Sequence, residues 1–388
     1  MKELDKRYNA ENVETRIYSM WEKSGYFNPD NLPSSKSKSQ RKSAFCIIMP
    51  PPNANGSLHI GHAVFVTLED LMIRYHRMKG DKTLWLPGAD HAGFETQVVF
   101  EKKLSKEGKS RFEFDRKTLY KKMMDFTLSN KSHMENQLRK LGASCDWSRE
   151  KFTLDKDIIK IVYQTFLELH KDKLLYRDLR PVNWCTKHQT SLSELELKYT
   201  EQVDKIYEIK YPFGVQDLKE YESTPDIDGI TIITTRPETM FADVAIAVHP
   251  NDKKYKKYIG KTVELPLVGR DIPIIADSAV DPKFGTGALK ITPAHDPLDF
   301  EIGKRHKLPS PIAINKYGKL TDICGEFENL KVLEAREKVV KKLDELGYLK
   351  ESKDYKHMVG HCYKCNRIIE PRILPQWFIK AEPLAKKA

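Results

Sequence analysis

At 388 residues with 40% hydrophobic content, the chain is long enough for two or three domains with separate cores, which excludes a small disulfide-stapled scaffold. Lysine and arginine outnumber aspartate and glutamate 66 to 55, a formal charge of +11 that suits an anionic partner such as nucleic acid without requiring one. The start, MKELDKRYN, lacks the apolar core of a signal peptide and no apolar run approaches the ~18 residues of a membrane span, so a cytoplasmic protein with no membrane contact is expected. The six cysteines are too sparse for a disulfide framework and read as reduced thiols or a metal site.

Residues 11–25 read as a helix with Val13, Ile17, Met20 and Trp21 along one side, followed by the polar, basic loop PSSKSKSQRKS at 33–43. AFCIIMP is a short apolar run of buried-strand type, PPNANGS a loop, residues 59–79 a helix with apolar Ala63, Val66, Met72 and Tyr75, and TLWL a strand that completes a β-α-β unit. Helical spacing recurs over 119–141 and 158–175, and the character changes near Asn183-Trp184-Cys185, which suggests a domain boundary. Between 206 and 292 come short strands: GITIITT, DVAIAVHP, the pair TVELPLV and IPIIAD around a turn at Gly269–Asp271, and TGALKIT, a clustering that predicts a β-barrel. Helices are expected at 296–307 and 331–346, the second with Val332, Ala335, Val339 and Leu343 on one face and Gly347 as its stop. After residue 356 the HCYKC segment and PQWF lead back toward the first domain.

His59-Ile60-Gly61-His62 stands at a strand-to-helix junction, where free backbone N–H groups and the helix dipole favour phosphate and glycine permits close approach. Two imidazoles three residues apart share a helix face and can donate to the phosphates of ATP, stabilising the charge of a pentacoordinate phosphorus. The plain alternative is a pair of helix-cap histidines.

With MPPPNANGSLHIGHA in this order, the sequence resembles the class I aminoacyl-tRNA synthetases, and LPGADHAGFETQ makes it similar to their valyl branch. The resemblance implies an α/β protein: the first half of a Rossmann-type nucleotide-binding fold (1–190), an inserted β-barrel-rich editing domain (191–355) and a return segment (356–388). It implies ATP, with Mg2+, held by Asn53, His59, Gly61 and His62, with His59 and His62 catalytic. Valine would be held by Pro51, Pro52 and the ammonium-binding Asp90, with tRNA(Val) as the acceptor. Read without the resemblance, Asp90-His91 is a turn with a helix N-cap and Pro51–Asn53 a rigid loop entry. A KMSKS-type lysine loop and an anticodon domain are absent, so the resemblance implies an amino-terminal portion that activates valine poorly alone, of an enzyme that is monomeric at full length.

TTRPETMFADVAIAVHP and FGTGALKITPAHDPLDFEIGKRH resemble the two signatures of the valyl-type editing insertion. A pocket that accepts valine by size cannot strongly reject threonine, its near-isostere with a hydroxyl, a limit for which the valyl enzymes are the standard instance. A second, hydrolytic site that recognises the hydroxyl solves this. Asp296 and Asp299, three apart at a helix start, can accept from an ammonium and a hydroxyl, Lys290 and Arg236 can neutralise a phosphate or oxyanion, and Thr234 or Thr235 can position water. Attack by water without a covalent intermediate is expected. Otherwise Asp296 caps a helix and Asp299 joins Lys304 or Arg305 on a solvated face.

Cys362-Tyr363-Lys364-Cys365 has the spacing that brings two thiolates to one Zn2+, and Cys185-Thr186-Lys187-His188 supplies a second half-site, against free thiols and a loop histidine. Relatives of the valyl type often carry cysteine where His188 stands. Isoleucyl or leucyl specificity, a free-standing deacylase acting on mischarged tRNA, and a non-catalytic tRNA-binding module stay open as alternatives.

Overall fold

The computed structural model describes residues 8–32, 43–214 and 229–388; most of the basic loop expected at 33–43 lies outside the described residues. The chain divides into two compact units, residues 1–172 and 173–388.

In the first unit, helix α1 (Ala10–Ser24) precedes strand β1 (Ala44–Ile48), helix α2 (Ile60–Lys79) and strand β2 (Lys82–Leu86). β1 and β2 pair in parallel from Ala44 opposite Lys82 to Ile48 opposite Leu86, with α2 as the crossover, which is the expected β-α-β unit. Gly80 closes α2 at φ 81°, its amide bonding back to Arg77 and His76, a left-handed position that costs glycine least. Met49, Val66, Ile73, Trp85 and Leu138 form the core of this unit. Met72 and Tyr75, apolar positions of the expected helix, are exposed.

A second parallel pair, β3 (Gly88–Ala89) and β4 (Lys151–Phe152), continues the β2 direction. Helices α3 (Gly93–Lys106), α4 (Arg116–Leu141) and α5 (Lys156–Lys171) complete the unit. α4 begins at Asp115, whose carboxylate accepts from the amides of Lys117 and Thr118, and ends at Gly142.

The second unit is dominated by long antiparallel ladders. Strand β5 (Leu175–Cys185) carries β6 (Thr190–Leu192) on one edge, and β7 (Leu197–Pro212) pairs with β8 (Gly229–Thr234). Strands β9 (Ala245–Val248), β10 (Thr262–Leu265), β11 (Arg270–Ala276) and β12 (Ala288–Ile291) form a four-stranded sheet in the order β10-β11-β9-β12. Its hairpin turns over residues 266–269, ahead of the expected Gly269–Asp271. Helices α6 (Pro297–His306) and α7 (Val332–Glu345) follow, then β13 (Leu349–Cys362), which pairs with β7, and β14 (Glu370–Ile379), which runs beside β5 from Leu175 opposite Ile379 to Trp184 opposite Glu370.

The expected β-barrel is corrected: among the described residues no closed barrel is seen. The strands lie in separate sheets; beyond its own sheet β10 makes an isolated bridge, Val263 with Phe213 just past β7, and β12 is an edge, whereas closure requires continuous hydrogen-bonded pairing around the ring. α7 buries Ala335, Val339 and Leu343, a stripe at i, i+4 and i+8, in the main core, which also holds Ile209, Tyr211 and Ile232. Among the described residues no helix is long and apolar enough to cross a membrane.

Candidate functional sites

In the first unit His59 is the N-cap of α2. Its Nδ1 accepts from the Gly61 amide at 3.1 Å, while its own amide donates to Nδ1 of His62 at 3.2 Å. The rings lie 4.0 Å apart between centroids. Because both Nδ1 atoms accept, each neutral ring carries its proton on Nε2, so the cap itself orients two N–H donors. Burial, reinforced by the neighbouring His59, lowers the His62 pKa and keeps that ring neutral at pH 7. A Cβ on Gly61 would stand 2.9 Å from Cε1 of His59, so the glycine is what lets the capping ring lie over the helix start. The histidines are therefore helix caps, and that capping prepares them as donors.

The loop from Pro51 to Leu58 is fixed at both ends. Asn53 forms an isolated parallel bridge with Asp90, through Asp90 N–H to Pro52 O at 2.9 Å and Ala54 N–H to Asp90 O at 2.7 Å. The Leu58 amide donates to Gln137 of α4 at 2.8 Å. The Asp90 carboxylate, half-buried, accepts from the Ala92 amide at 3.0 Å and from Thr153 Oγ1 at 3.1 Å. Thr153 also accepts the His91 amide at 2.9 Å and lies 2.6 Å from His91 Nδ1. A cleft of about 150 Å³ lined by Met49, Pro51, Ala89, Phe152, Thr153 and Ile158 lies beside this group. Pro52 is buried, and His59 and His62 are not among the residues that line the cleft.

In the second unit Asp296 caps α6, accepting from the Leu298 and Asp299 amides at 2.7 and 3.1 Å, and it is exposed. Asp299 does not join the solvated face: Arg305 instead grips Asp277. Asp299 is buried, and its Oδ2 accepts from the Thr292 amide at 2.8 Å. Burial, with Asp296 adding to it, pushes its pKa up to about 7, against the pull of Lys290 and the Thr292 amide.

Lys290 is buried, and all three of its ammonium hydrogens have acceptors: Thr239 Oγ1 at 3.1 Å, Asp243 Oδ1 at 3.0 Å and Thr292 Oγ1 at 2.6 Å. Arg236 follows β8 and pairs with Glu238 at 3.3 Å and with Glu370 of β14. Glu238, fully buried, is also held by Arg336 of α7 at 2.9 and 3.0 Å. Thr234 Oγ1 accepts from the Arg236 amide at 3.0 Å, leaving its hydroxyl proton to donate, and Thr235 is half-buried beside it. His295 is buried, and Nε2 accepts from the Ala313 amide at 2.9 Å; burial, with the charges of Arg236, Lys290 and Arg372, lowers its pKa to about 3. Lys290, Asp299 and Arg236 thus belong to one charged neighbourhood, while Asp296 stands at its exposed rim.

Sequence reasoning missed Asp243, Thr292, Glu238, Glu370 and Thr153. The available signal was weak: charges inside otherwise apolar segments, as in FADVAIAV and RIIEPRIL.

Cys185, His188, Cys362 and Cys365 offer ligand atoms that all lie within 4.8 Å of one another. The two halves repeat one backbone device. Gln189, at φ 48°, donates its amide to Cys185 O at 2.7 Å, and Asn366, at φ 57°, donates its amide to Cys362 O at 2.8 Å. Each left-handed residue turns a chain back so that its two ligands face the same point. Three sulfurs and one imidazole in this arrangement match the donor set of a tetrahedral zinc site, whose sulfurs at ~2.3 Å from the metal stand roughly 3.8 Å apart.

A family profile described as "tRNA synthetases class I (I, L, M and V)" matches residues 16–388. Proteins named valine--tRNA ligase from Thermotoga maritima and Treponema denticola are 45% and 46% identical over 389 and 387 residues. Each alignment covers 100% of this chain, and 43% and 42% of the relative, so the chain spans about two-fifths of the length of the curated relatives it matches. Among solved structures, a ternary complex of Agrobacterium radiobacter LeuRS with tRNA and LeuAMS aligns over 94% of this chain and 52% of its own at 19% identity and a TM-score of 0.41.

Proposed function

The chain belongs to the class I tRNA synthetases of the isoleucine, leucine, methionine and valine group, and from that premise we propose that it is the amino-terminal part of a valine–tRNA ligase with a hydrolytic editing site. The whole enzyme joins valine to tRNA(Val) at the expense of ATP. The observation that carries the synthetic half is the bridge between Asn53 and Asp90, which ties the loop ahead of the HIGH histidines to the backbone of the residue whose carboxylate suits an α-ammonium. In this reading β1, α2 and β2 are the first half of a Rossmann-type fold, Asp90 holds the valine ammonium, and Pro51 and Pro52 shape the side-chain site. Asn53 and Gly61 let the nucleotide approach the backbone, and His59 and His62 donate through Nε2 to ATP and its Mg2+ complex. The lysine loop of the family lies outside this chain, so valine activation belongs to the longer protein.

In the second unit we place the editing reaction. Asp299 and Asp296 accept from the ammonium and hydroxyl of a threonyl ester, and Arg236 with Lys290 supplies positive charge for the phosphate or the oxyanion. Lys290, its hydrogens committed, acts through space. Thr234, with Thr235 beside it, orients the water. The water oxygen adds to the ester carbonyl carbon and the bond to the ribose oxygen breaks; the protons of water end on the ribose hydroxyl and the bulk, releasing threonine. Valine lacks the hydroxyl and is retained. Cys185, His188, Cys362 and Cys365 would hold a structural Zn2+, which when bound ties β5 to β13 without entering the chemistry.

The test is to incubate the chain with threonyl-tRNA(Val) and valyl-tRNA(Val) and follow each ester. Selective loss of threonine is expected; equal loss of both, or of neither, would remove the editing assignment.

A further inference from the structure

The ribbon of β5 and β14 alternates its side chains between two faces, and residues directly opposite one another share a face. Lys380 continues the register past β14, its amide donating to Leu174 O at 2.9 Å. One face therefore carries, in order along the ribbon, Lys380, Tyr176 opposite Phe378, Arg180, Arg372 and Trp184, none of them buried. Cations stack on the rings throughout: Lys380 Nζ stands 5.8 Å from the Tyr176 ring centre, the Arg180 guanidinium 4.9 Å from that of Phe378, and the Arg372 guanidinium 5.2 Å from that of Trp184. The same face holds two carboxylates. Glu370 is turned to Arg236, and Asp178 lies 4.0 Å from Arg180 and 3.9 Å from Lys304 of α6. Among the described residues Arg372 has no ion-pair partner, and burial alone lowers its pKa. At this end the stripe reaches the hydrolytic group, since the charge of Arg372 is felt by His295.

We propose that this face of the β5–β14 ribbon binds single-stranded RNA, the unpaired 3′ end of the tRNA acceptor, stacking bases on Tyr176, Phe378 and Trp184 and taking phosphates on Arg180, Arg372 and Lys380. Rings interleaved with cations suit an unpaired strand, because every free base offers a π-face and every nucleotide a phosphate, whereas a duplex hides its bases. The ten residues of β14 span about 33 Å, enough for roughly five nucleotides. The inference rests on the reading above for the identity of the RNA, and deepens it by assigning the surface along which the acylated end approaches Asp299.

The experiment follows, by fluorescence anisotropy at low salt, binding of the whole chain to a labelled, unacylated single-stranded RNA of about eight nucleotides ending in CCA. The unaltered chain binds it about tenfold or more tightly than a blunt RNA duplex of the same length. Phe378→Leu weakens binding about tenfold and leaves its salt dependence in place, because a stacking surface is lost and no phosphate contact. Arg372→Gln weakens it about fivefold and makes the log–log salt slope shallower by about 0.7. Lys205→Gln, which removes the same charge from an exposed site on β7, leaves binding unchanged. The probe carries no ester, so the two readings fail separately. A chain that binds RNA in this way but spares threonyl-tRNA defeats the editing reading alone; one that hydrolyses threonyl-tRNA without binding the probe defeats the ribbon alone. Equal affinity for strand and duplex, or binding unmoved in both folded variants, overturns the proposal. So does equally tight binding of polyglutamate, which would mark an acidic protein as the partner. If Phe378→Leu does not fold, Arg372→Gln against Lys205→Gln decides, and equal effects there overturn it.

Discussion

The sulfurs of Cys185 and Cys365 lie 3.6 Å apart although 180 residues separate them in the sequence. That separation is far beyond a disulfide bond and close to the edge of a zinc–thiolate tetrahedron. Burial pushes the Cys185 thiol up to about 12, and the nearby Cys365 and Cys362 add to the shift; the amide of His188 opposes it.

Elemental analysis of the purified chain is therefore expected to give about one zinc per chain. Cys362→Ser should lower that content severalfold. Because the thiols must lose protons to bind, zinc affinity rises with pH, and saturation with zinc raises the thermal midpoint. A chain that unfolds at the same temperature with zinc and with a chelator would rule the site out.

Asp299 and His295 impose opposite pH dependences. The raised pKa of Asp299 means that the unfolded carboxyl ionises first, so its contribution is full below about 4 and is lost as pH rises toward about 7. The lowered pKa of His295 means that its contribution is full above about 6.5 and is lost as pH falls toward about 3. Asp299→Asn should thus stabilise the chain at pH 8 by roughly 1–3 kcal/mol while abolishing threonyl-tRNA hydrolysis. It should also steepen the acid loss of stability, which His295 then dominates. Urea titrations at pH 5, 6.5 and 8 measure both effects; a variant destabilised at pH 8 contradicts the assignment.

Glu238 is expected to matter far more than any surface ion pair. It is fully buried and shared by Arg236 and Arg336, so Glu238→Gln leaves two guanidinium groups undercompensated and should cost about 3–5 kcal/mol. Glu334→Gln, which breaks an exposed pair with Lys338 on α7, should cost under about 0.5 kcal/mol. Parallel denaturant melts test the contrast, and equal effects would mean that the network is not structural.

Thr153 supports Asp90 and the backbone of His91 together. If the full-length protein activates valine as proposed, Thr153→Val should raise the valine KM in ATP–pyrophosphate exchange by about five- to tenfold, the worth of one hydrogen bond to a charged group. Asp90→Asn should nearly abolish exchange. A valine KM unmoved by Thr153→Val would show that Asp90 holds its position without the threonine.

Local patterns carried much of this structure. The α2, α6 and α7 boundaries are set by caps and apolar spacing that residues 59–80, 296–307 and 331–347 display openly, and the structure places them within a residue or two. The long ladders β7 and β13 were invisible to the same reasoning. KYTEQVDKIYEIK and KESKDYKHMVGHC are strongly polar, and each is held as strand by its partner across the ladder.

What the sequence determined by itself was the set of short-range devices: the His59–Gly61–His62 cap, the Cys-x-x pairs and the Asp296 N-cap, since each is made by atoms within a few residues of one another. Only the tertiary structure decided that Asp243 would meet Lys290, that Glu370 would meet Arg236 and that the strands would lie in separate sheets. Those outcomes depend on burying charges where segments far apart in the chain converge, and a buried charge settles on whichever opposite charge the packed fold brings to it.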